Sequence, residues 1–153
     1  MIEIVPFENR YGKAFKELNQ WWIEKYFVME SQDHKALDHP QEYIIDNGGH
    51  ILVALSDDKP VGVCALIKSQ HEGYDYELAK MGVSQNSHGK GIGYQLGLAI
   101  IAKAKACGAK KIHLESNTKL KPAINLYYKL GFKKVEGLTS PYSRCNIQME
   151  LLL

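Results

Sequence analysis

A strand-like segment, Glu77-Leu78-Ala79-Lys80-Met81-Gly82-Val83, leads into the loop His88-Gly89-Lys90-Gly91-Ile92-Gly93 and then into a helical stretch. This order of strand, glycine-rich loop and helix constrains the chain more than any other feature. The first turn of a helix leaves backbone N–H groups without partners, and the helix dipole adds positive potential there. A loop of this form therefore makes an anion site, and its glycines let the backbone take positive φ and approach a bulky phosphate closely. Two common phosphate loops are excluded by spacing. A Walker A loop needs GxxxxGK followed by Ser or Thr, but its opening glycine would fall on Ser84 and Lys90 precedes Gly91. The dinucleotide pattern GxGxxG needs a third glycine where Tyr94 stands. On these residues alone, a loop built only for tight turning stays an alternative.

The flanking pattern is that of a mixed α/β chain. Alternation predicts a strand at Ile2–Val5, and Phe15, Leu18, Trp22 and Ile23 predict a helix over Glu8–Tyr26. Residues 30–47 read as a shorter helical or irregular passage, punctuated by Asp38 and Pro40 and ended by Asn47-Gly48-Gly49. Strands are expected at His50–Ser56 and Val61–Gln70, joined by the turn Asp57-Asp58-Lys59-Pro60, with a third at Tyr74–Val83. Ile92, Leu96, Ile100 and Ala104 mark a helix over Gly91–Cys107, which Gly108 stops. A strand at Lys110–Ser116, a helix at Leu120–Leu130 stopped by Gly131, and strands at Phe132–Glu136 and Asn146–Leu152 complete the order.

Composition narrows the function classes. A chain of 153 residues suits one domain, 1–153, and 45% apolar with 24% charged residues is a soluble composition. There is no apolar run long enough for a membrane span, and the start Met-Ile-Glu-Ile-Val-Pro lacks the regions of a signal peptide. Cys64, Cys107 and Cys145 form no CxxC pair and no zinc-ligand spacing, so we expect reduced thiols in a cytoplasmic protein with no metal. The net charge of +2 and the scattered late lysines give no nucleic-acid footprint.

The loop and a later segment together resemble the GNAT superfamily of N-acetyltransferases. That family's signature is Gln/Arg-x-x-Gly-x-Gly/Ala between a strand and a helix; here its last two conserved positions fall on Gly91 and Gly93, and its first falls on His88, a departure. Leu114-Glu115-Ser116-Asn117 followed by Pro122-Ala123-Ile124-Asn125-Leu126-Tyr127-Tyr128-Lys129-Leu130-Gly131-Phe132 resembles the family's later motif, A-I-x-L-Y-x-K-L-G-F, at the family's spacing. The resemblance implies a GNAT-like fold: a central, mostly antiparallel twisted sheet of about six to seven strands flanked by helices. It also implies acetyl-coenzyme A as cosubstrate, an amine acceptor, and pairing of two copies through the closing strands.

Several site residues follow from the same resemblance. Backbone groups of Met81 and Val83 would hold the pantetheine arm, and His88, Gly89, Lys90, Gly91, Ile92 and Gly93 would hold the pyrophosphate. Asn117 would hydrogen-bond pantetheine, and Tyr127 would protonate the departing thiolate. Glu77 is our choice of general base, with Asp75, His113 and Glu115 as competitors. Read from the residues alone, Met81 and Val83 also suit core packing, Tyr127 a packed helix face, Asn117 a turn cap and Glu77 an exposed strand face. The acceptor groove would draw Trp22, Tyr26 and Glu30 from the first helix region and Tyr142 and Arg144 from the last loop. Trp21 and Trp22 cannot both face the core of one helix, so one of them lines a groove or interface. A coenzyme A-binding sensor without turnover and a transferase of longer acyl groups are the competing readings.

Overall fold

The computed structural model describes residues 1–153. The chain runs β1 (Ile2–Pro6), a 3-10 turn into α1 (Gly12–Tyr26), α2 (Ser31–Asp38), a π-helical turn (Gln41–Ile45), β2 (His50–Ser56), β3 (Lys59–Lys68) and β4 (Tyr76–Val83). It continues through α3 (Ile92–Ala106), β5 (Lys111–Ser116), α4 (Lys121–Leu130), β6 (Lys133–Val135) and β7 (Ile147–Leu152). All seven strands join one sheet in the order β1-β2-β3-β4-β5-β7-β6. Only β4 and β5 run parallel; the other five neighbouring pairs are antiparallel. No helix is long and apolar enough to cross a membrane.

Strand alternation divides the apolar residues between two faces. On β3, Cys64 and Leu66 point to a core shared with α3 and α4, while Val63 and Ala65 point to a second core under α1 and α2. The sheet is thus covered by a helix pair on each face, at least over β2–β4. Asp57 and Asp58 both have positive φ, at 50° and 66°, which makes a two-residue primed turn between β2 and β3. The hairpin therefore closes earlier than the sequence suggests, and β3 starts at Lys59 instead of Val61. Pro60 is tolerated there because pairing with β4 reaches no further than Gly62.

Close packing of α1 onto β4 depends on Gly82. A Cβ there would lie 2.8 Å from the backbone oxygen of Leu18, which cannot move aside. Gly82→Ala is expected to lower stability by about 1–3 kcal/mol through overpacking. Gly12, in the first turn of α1, has an ordinary φ of −58°, and a Cβ added to it would meet no atom within 4 Å, so Gly12→Ala is expected to cost nothing. Urea melts of the two variants check this pair.

Candidate active site

The site begins where the sheet comes apart. β4 pairs with β5 at Tyr76↔Ile112 and Glu77↔His113 and nowhere beyond, while β5 stays paired with β7 as far as Ser116. From Leu78 to Val83, the side of β4 that faces β5 has no strand partner. The register with β3 also slips, from Ala65↔Ala79 to Val63↔Gly82, which leaves Lys80 and Met81 bulged opposite Cys64. Lys80 takes φ 51° to make the bulge, a left-handed conformation that costs a lysine roughly 1–2 kcal/mol. Along the gap lies a cavity of about 1460 Å³ that reaches both faces of the sheet.

One end of the cavity is the glycine loop. Gly91 caps α3 with φ 76°, and the first intrahelical bond is Gln95 N–H to Gly91 O, so the N–H groups of Ile92, Gly93 and Tyr94 have no partner within the helix. Gly89 also has positive φ, 81°, and a Cβ on either Gly89 or Gly91 would meet no atom within 4 Å. The space over the loop is open, as a phosphate seat requires. Ile92 itself buries its side chain in the core, leaving only its backbone for the loop. Lys90 is exposed and is not on the cavity wall. His88 brings its Nε2 to 3.0 Å from Val83 O and packs edge-on against Trp21, at 6.0 Å between ring centroids. Because Ser84 N–H bonds back to Val61 on β3, alternation turns the backbone groups of Val83 towards the gap.

Where the strands part, Glu77 of β4 lines the cavity, and Tyr127 of α4 lines it from the opposite face of the sheet. Burial, with the neighbouring Cys64 thiol, pushes the Tyr127 phenol well above its ordinary range, so it keeps its proton. Burial and the nearby Glu115 charge push the Glu77 carboxyl up to about 8, against the smaller pull of Lys80. A proton donor and a carboxyl that titrates near neutrality thus share one cavity. Glu115 also lines it, and accepts a hydrogen bond from Ser140 Oγ. Asn117 is on the wall as well, but its amide is already engaged: Nδ2 donates to Arg144 O at 2.7 Å, and Oδ1 accepts Lys119 N–H at 2.8 Å. The second bond is the turn-capping arrangement that a strand-end asparagine favours.

The residues expected to contact an acceptor differ from the sequence expectation in what their charges do. Trp22, Tyr26 and Tyr142 line the cavity, with Trp21 beside them. Arg144 reaches the wall, yet its guanidinium is neither free for a ligand nor exposed. It donates to both Asp33 oxygens, at 2.6 and 2.7 Å. Glu30 does not line this cavity; it caps α2 in a reciprocal capping box with Asp33 and accepts from Ser143 N–H and Oγ. Asp33 is fully buried and receives Lys80 Nζ as well, which also donates to Tyr142 OH at 3.0 Å. Burial alone would raise the Asp33 carboxyl, but hydrogen bonds from Arg144 and the charge of Lys80 hold it at about 2. One carboxylate therefore ties α2, the β4 bulge and the loop before β7 together. Sequence reading passes over Asp33 and Lys80; the trace they leave is a lysine set between Leu78-Ala79 and Met81-Gly82-Val83 and a Glu30–Asp33 spacing that suits a capping box.

Comparison with known proteins agrees with this geometry. The model of the acetyltransferase (GNAT) family matches residues 15–132. An uncharacterized N-acetyltransferase of Bacillus subtilis (strain 168), YvbK, is 31% identical over 107 residues, which are 68% of this chain and 68% of that protein. An acetyltransferase of the GNAT family from Staphylococcus aureus Mu50 superposes with a TM-score of 0.87 at 20% identity, over 98% of each chain. The PaiA N-acetyltransferase of Thermoplasma acidophilum, solved in complex with coenzyme A, gives a TM-score of 0.78 at 19% identity, over 100% of this chain and 99% of that one.

Removing Asp33 leaves two buried cations without a counter-charge. Asp33→Ala is expected to cost about 3–5 kcal/mol, whereas Asp38→Ala, which breaks the half-exposed Lys16–Asp38 pair, is expected to cost about 1 kcal/mol or less. Because the Asp33 carboxyl lies below its ordinary value of 3.8, its contribution is present above that pH and is lost as pH falls towards about 2. Urea midpoints for both variants, with wild type also followed into acid, check the assignment.

Proposed function

The chain belongs to the acetyltransferase (GNAT) family, and from that premise we propose that it transfers an acetyl group from acetyl-coenzyme A to a primary amine by direct attack in a ternary complex. The observation that carries this reading is the continuous cavity that joins the open glycine loop to Tyr127 and Glu77 through the β4–β5 gap. A phosphate-bearing thioester fits what lies along it. The unpartnered N–H groups after Gly91 would hold the pyrophosphate, with Gly89 and Gly93 giving clearance and His88 and Lys90 flanking it. Backbone groups of Met81 and Val83 would hold the pantetheine arm and orient the thioester; His88 would give up its bond to Val83 O as the arm enters. Asn117 would meet the arm only by exchanging one of its present bonds.

In this mechanism the acceptor attacks as the neutral amine, and Glu77, ionised, takes the one N–H proton that the nitrogen loses as it becomes an amide, directly or through one water. The amine nitrogen forms a bond to the carbonyl carbon, and the carbon–sulfur bond breaks. Tyr127 gives its phenolic proton to the departing sulfur, so the products are an amide and the free thiol. Glu77 and Tyr127 then exchange protons with solvent and return to their starting states. Trp22, Tyr26 and Tyr142 would form the acceptor walls, and Arg144 and Glu30 would hold those walls in place through Asp33. The same reading puts the protein in the cytoplasm, supported by three unpaired cysteines, and lets two copies pair through the closing strands.

Thiol release from acetyl-coenzyme A with a panel of amines tests the proposal. Tyr127→Phe and Glu77→Gln are each expected to lower kcat by about 10²–10⁴-fold while coenzyme A affinity is kept. Wild-type turnover in Tyr127→Phe would remove the acid assignment. Tight coenzyme A binding with no release across the panel would instead favour a sensor.

The Glu77 assignment also fixes a pH dependence. A base works only when ionised, so kcat/KM is expected to rise with pH through about 8. Removing the neighbouring charge with Glu115→Gln should move that limb to lower pH. A profile that does not respond to Glu115→Gln would point to a different base.

A further inference from the structure

One cluster at the cavity wall has metal-ligand donors whose lone pairs the proposed acetyl-transfer steps leave unused. His113 on β5, Glu115 two residues further along it, and His71 in the loop between β3 and β4 each bring one ligand-type atom within 4.8 Å of the others. His113 is 1% exposed, and its Nδ1 has no hydrogen-bond partner. It is the one buried side-chain nitrogen or oxygen of the whole chain in that condition. Buried polar atoms are normally satisfied, so a single exception calls for a physical reason.

The surrounding bonds indicate which form of the ring is present. Ser69 Oγ accepts His71 N–H at 3.0 Å and directs its own proton to His71 O at 3.5 Å, while lying 2.8 Å from His113 Nε2. In the tautomer with Nε2–H, Ser69 accepts from that N–H and Nδ1 is a bare lone pair. The other tautomer would bury an N–H with no acceptor, which is the rarer and costlier orphan. Glu115 is arranged in a similar way: Ser140 Oγ holds Oε2, and Oε1 lies 3.8 Å from His71 Nε2. His113 and Glu115 thus each carry an outer hydrogen-bond partner of the kind that orients metal ligands.

We propose that His71, His113 and Glu115 form a site for a divalent transition-metal cation, with zinc the cation that best suits the donors. Two imidazoles and one carboxylate are a zinc-type set of three protein ligands. Bonds of about 2.0–2.2 Å place the donors of a tetrahedral site roughly 3.4 Å apart, so the cluster closes around the ion by a shift of about 1 Å. His71 is the group free to make that shift, because it sits on a loop with its side chain 19% exposed. His71 and Glu115 also line the main cavity, so the site borders it.

Titration calorimetry of the metal-free full chain with zinc chloride alone tests this, with no acetyl donor or acceptor present. Its outcome is therefore independent of whether the chain turns over. One equivalent of zinc is expected to bind, and His71→Ala and Glu115→Gln should each weaken it by at least ~10-fold; Ser69→Ala, which removes an outer partner, should weaken it by about 10-fold as well. His71 is on a surface loop, so a thermal melt without zinc should match wild type and show that the loss is not unfolding. Cobalt(II) is a second probe: its visible absorption should report nitrogen and oxygen ligation in wild type and fade in His71→Ala. Absence of saturable zinc binding overturns the proposal. Binding that is unchanged in both His71→Ala and Glu115→Gln overturns it too, since the ion would then be held elsewhere.

Discussion

β4 and β5 hold together over two register pairs and then separate, and the functional geometry depends on that separation. A sheet that stayed zipped would bury the backbone groups of Met81 and Val83 in ladder bonds and would close the passage between its faces. With the strands apart, Tyr127 on the α3/α4 side and Glu77 on the α1/α2 side meet in one cavity. The bulge at Lys80 helps to turn β4 away, and its left-handed backbone is held by an ion pair from α2. The loop that follows β4 then delivers the open N-terminus of α3 to the end of the same gap.

The distribution of buried charge follows from this layout. Asp33 faces two cations, so it stays ionised despite being fully buried, and the three elements it joins are fixed relative to one another. Such a pair adds little net stability over an apolar replacement, but loss of either side is costly. Glu77 and Glu115 are the opposite case. They are two carboxyls near one cavity with no comparable clamp, and burial raises both. The fold therefore keeps one carboxylate ionised at neutral pH as a strut and leaves another able to exchange a proton near that pH.

Local features are legible in the sequence, and long-range ones are not. β2 matches its expected bounds at both ends, and the glycines after α3 and α4 stop those helices where a C-terminal glycine should. The positive φ of Gly89 and Gly91 and the helix start after them follow from the glycine pattern without any tertiary information. By contrast, Asp33 and Lys80 are separated by 47 positions, and Asp33 and Arg144 by 111, so no local pattern reveals that one carboxylate holds both. That is why Arg144 and Glu30, expected to contact an acceptor, are instead engaged with Asp33 and Ser143. His71, His113 and Glu115 likewise lack ligand spacing along the chain; only the loop folding back over β5 gathers them. The early closure of the β2–β3 hairpin escapes a sequence reading because two aspartates take the positive φ that glycine or asparagine more often supplies.

Amide resonances read the central claim directly, since it concerns backbone groups set free by the β4–β5 gap. In a ¹⁵N–¹H titration with coenzyme A, the amides of Met81, Val83, Ile92, Gly93 and Tyr94 are expected to shift together and saturate at one equivalent, while those of the paired β2–β3 hairpin stay in place. Saturable shifts confined to other surfaces, or none along Met81–Tyr94, would contradict the account.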